Sequence, residues 1–197
     1  IKLKYELNQN SMTLSSVKNK IIKTGNLMIH YYEKSAFLGY PFSYNKLGLY
    51  YGGFDESFIA NFAKYNIYFV NKNDSKARSC FLKAATLQYN NICYIGKYNL
   101  AYYYYLNQAE NFGESKLSIL QKAEDTFIYL INNAPDISLV IKSYEALLHT
   151  LSKAEKEISN NTIGSYKDIV NRRCLPDHTD MLIKISNIHQ TWGLKNE

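Results

Sequence analysis

Apolar residues recur along this chain at spacings of three and four, and nowhere does a sustained two-residue alternation appear, so the pattern predicts helices and no strands. Ser15 or Ser16 is placed to cap a first helix bearing Val17, Ile21 and Ile22, which Gly25 or Asn26 interrupts. Leu27, Tyr31, Ala36 and Leu38 resume the period. Gly39-Tyr40-Pro41 then reads as a stop, a turn and a restart, and residues 43–51 as a helix closed by Gly52-Gly53.

Asp55 is a suitable N-cap for a helix through Phe58, Phe62, Ile67 and Val70, broken by residues 71–75. Further helices are expected over 76–88, 95–107, 116–132 and 137–158. The last carries a stripe of Leu139, Leu147, Leu148 and Leu151 behind the Ala134-Pro135-Asp136 stop. Asn160-Asn161 and Gly164 read as turn chemistry, with short helices over 166–174 and 179–188 and Trp192 packing over an end.

Two stretches repeat each other in order. Tyr31-Tyr32-Glu33-Lys34-Ser35-Ala36 with Asn45-Lys46-Leu47-Gly48-Leu49-Tyr50-Tyr51 is answered by Cys80-Phe81-Leu82-Lys83-Ala84-Ala85 with Tyr98-Asn99-Leu100-Ala101-Tyr102-Tyr103-Tyr104. A helix pair that cannot bury its own apolar face has to stack on a neighbour, so a repeated pair predicts a solenoid. The small Gly48 and Ala101 allow close helix approach, while Leu47 with Tyr51 and Leu100 with Tyr104 stand one turn apart on a buried face.

Lys34-Ser35-Ala36, Gly39, Leu47-Gly48 and Tyr51, then Lys83-Ala84-Ala85, Leu100-Ala101 and Tyr104, resemble the SEL-one-like subclass of tetratricopeptide-type repeats. Lys122-Ala123 echoes the motif weakly. Leu47 and Lys83 are separated by a helix more of chain than Leu100 and Lys122, which places an insertion within residues 55–75.

The resemblance implies an all-α fold, a short α-solenoid of antiparallel helix pairs with an irregular insertion and a C-terminal helical cap. It divides one domain, 1–197, into an N-terminal cap (1–25), repeat units (26–155) and a C-terminal cap (156–197). It also implies an adaptor or scaffold that binds a partner protein in its concave groove, in bacteria sometimes an immunity protein that inhibits a cognate toxin or effector. The family carries no catalytic residue, cofactor or metal ligand to transfer.

Tyr94, Tyr98, Tyr102 and Tyr105 follow one side of a helix, and Tyr104 fills the buried family position. Tyr98, Tyr102 and Tyr105 are therefore candidate partner-binding anchors, because rigid aromatic rings with a polar tip suit that task. Their counterparts Asn45 and Leu49 flank the same expected surface, with Gly52. The tyrosines serve equally well as packing against the adjoining unit, and the sequence leaves both readings open.

Composition changes this picture little. Aromatic residues at 15% and hydrophobic residues at 46% exclude a disordered chain. A net charge of +6 together with 19 tyrosines supports an alternative, nucleic-acid binding with tyrosines as stacking platforms. The basic residues are scattered, Arg172-Arg173 being the only arginine pair, which speaks for a solvated, mildly basic surface instead.

No stretch approaches the roughly 20 apolar residues that span a bilayer. The first residue is Ile, so an upstream segment is expected to have been removed. A signal peptidase would mean a periplasmic or secreted protein; a chosen start point would leave it cytoplasmic.

Chemistry is sparse. Cys80, Cys93 and Cys174 form no C-x-x-C pair, and a Cys80–Cys93 bridge would have to close a height mismatch of roughly 10 Å when bonding needs Cα atoms within about 7 Å. Buried free thiols are expected. Cys174 beside Arg172-Arg173 offers a thiolate-stabilising charge and nothing further to suggest an enzyme. His30, His149, His178 and His189 are dispersed, and the Asp177-His178-Thr179-Asp180 cluster also spells a turn with an N-cap. No glycine pattern matches a phosphate-binding loop. The chain reads as a non-enzyme.

Overall fold

The computed structural model describes residues 14–54, 70–87, 92–108, 113–154, 160–173 and 179–192. Among these, every regular element is helical: α1 (Leu14–Phe37), α2 (Pro41–Gly52), α3 (Asp74–Thr86), α4 (Ile92–Leu100) continued by a π-helical segment (Ala101–Leu106), α5 (Lys116–Asn133), α6 (Ile137–Lys153), α7 (Asn160–Arg173) and α8 (Thr179–Thr191). The all-α expectation holds. The chain divides into two compact units, 1–80 and 81–197, with the boundary inside α3. The expected helix after Asp55, the insertion that contains it, Cys174 and His178 fall largely or wholly outside the described residues.

In the first unit α1 packs along α2. α1 runs unbroken through Gly25, where the sequence suggested a stop. A helical glycine costs only about 1 kcal/mol relative to alanine, and Gly25 lies buried, so packing outweighs the penalty. The stop comes at Gly39, whose φ of 88° suits glycine; its N–H donates to the Ala36 carbonyl at 2.8 Å, and Pro41 opens the first turn of α2.

Gly53, at φ 71°, closes α2 with its N–H on the Leu49 and Tyr50 carbonyls. Ile29, Ala36, Leu47 and Tyr50 form the buried centre, and the Ser43 hydroxyl donates to that of Ser35 at 2.7 Å. Tyr51, expected on the buried face, is half-buried, and its neighbour Tyr50 takes the interior place. α3 begins ahead of the expected Lys76 because the Asn73 side chain accepts from the Lys76 N–H at 2.9 Å, capping the helix.

The second unit is built around α5 and α6, which pack along each other and meet at residues 134–136. Ser115 caps α5 and Asp136 caps α6, each through a side-chain oxygen that accepts a backbone N–H. α6 is buried on most of its circumference, including all four leucines of the expected stripe. Ser143 and Thr150, inside the core, donate to the Leu139 and Ala146 carbonyls of their own helix and so bury no unmet hydroxyl.

α7 begins at Asn160 and includes Gly164, correcting the turn expected there. Val170 is buried, and Tyr166 and Ile169 pack on the core, so tertiary contact overrides weak local preference. Trp192, half-buried, meets the His149 ring edge-on at 4.8 Å.

Gly96 in α4 sets a close approach. A Cβ there would stand 2.7 Å from the Ala84 carbonyl carbon and 2.8 Å from the Ala85 nitrogen, backbone atoms that have no rotamer to yield. Gly96→Ala is therefore expected to destabilise the protein by about 1–3 kcal/mol from overpacking, more than the roughly 1 kcal/mol it gains in helix propensity. A lower urea midpoint checks this; a higher one would show that α3 moves aside freely.

Candidate functional site

The tyrosine row lies on α4 and the π-helical segment. Tyr98 and Tyr102 stack at 5.5 Å with their planes 9° apart, Tyr98 turns toward the Phe127 ring at 5.9 Å, and Tyr102 meets Tyr103 edge-on at 5.2 Å. Tyr94 stacks on Tyr129 at 6.2 Å, with the Lys97 ammonium 5.6 Å from the Tyr129 ring centre. Tyr94, Tyr98, Tyr102 and Tyr105 are all half-buried against the core of the second unit, so each ring has one side committed to packing. Tyr104 is buried at 2% exposure, as its motif position implied.

The π-helical segment is a feature the spacing of residues did not disclose. Its wider turn carries Tyr102 to Tyr105, and its end is held by side chains: Asn107 Nδ2 donates to the Tyr102 carbonyl at 2.8 Å, and Lys153 Nζ donates to the Leu106 carbonyl at 3.1 Å. The Asn107 and Lys153 side chains thus occupy carbonyls at the end of the segment. Only a long-range lysine such as Lys153 could have hinted at it, and sequence distance hides that.

Of the first-unit candidates, Asn45 is buried at 6% exposure and Leu49 is half-buried, which leaves Asn45 little surface for a partner to touch. Cys80 and Cys93 are free thiols and half-buried, less enclosed than expected. His30 and His149 are exposed. Among the described residues, no three His, Cys, Asp or Glu side chains converge as metal ligands do, and no helix is long and apolar enough to cross a membrane.

A second surface emerges on α1. Leu27, Tyr31, Phe37 and Leu38 are 52%, 61%, 89% and 73% exposed, and Tyr40 and Phe42 beyond the turn are 48% exposed each. The spacing of Leu27, Tyr31 and Leu38 puts them on one helical face, while Ile29 and Ala36 carry the buried side. α1 thus has two apolar faces. The periodicity was visible as a single helix signal, and only the packing of Ile29 and Ala36 against α2 tells the inner face from the outer.

Beside the outer face, Phe37, Leu38, His30, Glu33 and Lys34 line a cleft of about 440 Å³. A neighbouring cleft of about 320 Å³ holds Tyr51, which donates its hydroxyl proton to Glu33 Oε1 at 2.6 Å beneath the Lys76 ammonium, 5.0 Å from the ring centre.

Burial pushes the phenols of Tyr51, Tyr98 and Tyr144 well above the ordinary tyrosine value; the Glu33 carboxylate adds to this at Tyr51, and the phenols of Tyr102 and Tyr103 at Tyr98. The folded protein therefore holds these protons where the unfolded chain releases them. This contribution to stability is complete below about pH 10 and is lost as pH rises beyond it. A urea midpoint that falls above about pH 10, with a shallower fall in Tyr98→Phe and Tyr144→Phe, is the expected result. A flat alkaline profile would refute it.

No protein-family model, curated protein or solved structure matches this chain.

Proposed function

We propose that this protein is a non-enzymatic protein-binding module, a short SEL-one-like helical-repeat scaffold, with one contact surface on the outer face of α1 in the first unit and a separate one on the tyrosine row in the second. The observation that carries the reading is the exposure of Leu27, Tyr31 and Phe37 on α1 and of Leu38 in the turn that follows it. Contiguous large apolar groups in water mark interaction sites, and aromatic residues dominate the energetic centres of such sites. The repeat reading is supported by matched burial in the two copies: Ala36 and Ala85 are both interior, as are Leu47 and Leu100.

The test is capture from the source cell with the wild-type chain beside two variants, Phe37→Ser with Leu38→Ser, and Tyr98→Ala with Tyr102→Ala and Tyr105→Ala. One dominant protein, lost with at least one of the two variants, is expected. Its being a toxic enzyme, neutralised on co-expression, would make this chain an immunity protein. Recovery of nucleic acid in place of a protein would favour the basic, tyrosine-rich alternative and sink the reading.

A further inference from the structure

On the reading above, we propose that the outer face of α1 docks an acidic, amphipathic helical segment of a partner protein. Lys20, Lys23 and Lys34 share the helical face of Leu27, Tyr31 and Leu38, at spacings of three and four. From Leu14 to Tyr32 the helix has no carboxylate, and its single acid, Glu33, accepts the Tyr51 hydroxyl at 2.6 Å. α2 adds Lys46, whose ammonium stands 5.8 Å from the centre of the Phe42 ring, and carries no acid. Among the described residues of α1 and α2, every formal charge except Glu33 is a lysine.

The partner's chemistry follows. Apolar groups run from Leu27 to Leu38, about 16 Å at 1.5 Å per residue, the reach of two to three turns of a second helix, and the cleft beside Phe37 accepts one of its larger side chains. Lys23 lies beyond the N-terminal end of that stripe, where carboxylates on the partner's first or last turn would meet it.

A membrane is the poorer fit, because an interfacial helix separates charge from apolar groups around its circumference. Here Lys34 stands within the apolar face, between Tyr31 and Leu38, and the opposite side is buried on α2. Leu27 and Leu38 likewise offer nothing to a phosphate.

The experiment titrates the full chain with two synthetic helical peptides alike in their leucine and phenylalanine face, one flanked by glutamates and one by lysines, beside single-stranded RNA and anionic phosphatidylserine vesicles. At about 50 mM salt the acidic peptide is expected to bind and the basic one not, with the difference narrowing as salt is raised. Lys23→Gln with Lys34→Gln is expected to weaken the acidic peptide about fivefold, and Phe37→Ser with Leu38→Ser about thirtyfold. Both variants change exposed groups and are checked by circular dichroism.

Equal binding of both peptides would overturn the acidic assignment and leave the protein-binding reading intact. Binding of RNA or vesicles with neither peptide bound would overturn both. Binding of no probe at all would overturn the acidic-helix proposal alone, since cellular capture tests the broader reading separately.

Discussion

Replacing Phe127 with alanine is expected to remove about 3–5 kcal/mol from the stability of the second unit. Phe127 is fully buried on α5 among Leu130, Ile131 and the inward face of α6, and it also receives the Tyr98 ring at 5.9 Å. Truncation deletes apolar contact and leaves a cavity lined by side chains fixed on rigid helices, which close over such a void only in part.

The single tryptophan, Trp192, lies in this unit against His149, so its emission follows unfolding of residues 81–197 specifically. A urea midpoint well below that of the wild type is the expected observation, with Phe127→Leu losing far less. An unchanged midpoint for Phe127→Ala would mean that α5 and α6 do not carry the core.

Arg173→Met is expected to cost about 2–3 kcal/mol, although the residue is partly exposed at the end of a peripheral helix. Its guanidinium donates from Nη1 to the Ile131 carbonyl at 2.6 Å and from Nη2 to the Ala134 carbonyl. These are terminal acceptors of α5, groups that the helix cannot satisfy internally, and a cation also opposes the negative end of the helix dipole. Methionine keeps the aliphatic stem and leaves both carbonyls without this donor. Arg173→Lys should restore part of the loss, since an ammonium supplies charge without the planar fork. A methionine variant as stable as the wild type would show that water replaces the guanidinium without penalty.

The helices themselves were legible because their punctuation is local. Gly39 with Pro41, Gly53 and Asp136 each act within a few residues of where they stand, and the structure uses all of them. Gly25, Asn160-Asn161 and Gly164 misled because a breaker's effect of about 1 kcal/mol or less yields to burial elsewhere on the same helix. The π-helical turn after Leu100 and the Arg173 cap depend on partners far along the chain, which periodicity does not encode.

The candidate site was legible in part. The tyrosines do share one side of the helix, as their spacing suggested, but Tyr98 and Tyr102 stack on each other and also press on Phe127 and Tyr103. Leu27, Tyr31 and Leu38 read from the sequence only as part of a helical period. Their exposure follows from which side of the helix α2 covers, a tertiary fact.

The most direct test of the protein-binding account is site-specific photocrosslinking in the source cell, with a benzoylphenylalanine placed at Phe37, 89% exposed, and in a second sample at the buried Phe81 as a control. The account predicts one discrete protein adduct from position 37 and none from position 81. No protein adduct at 37, or an adduct with nucleic acid there, would contradict it.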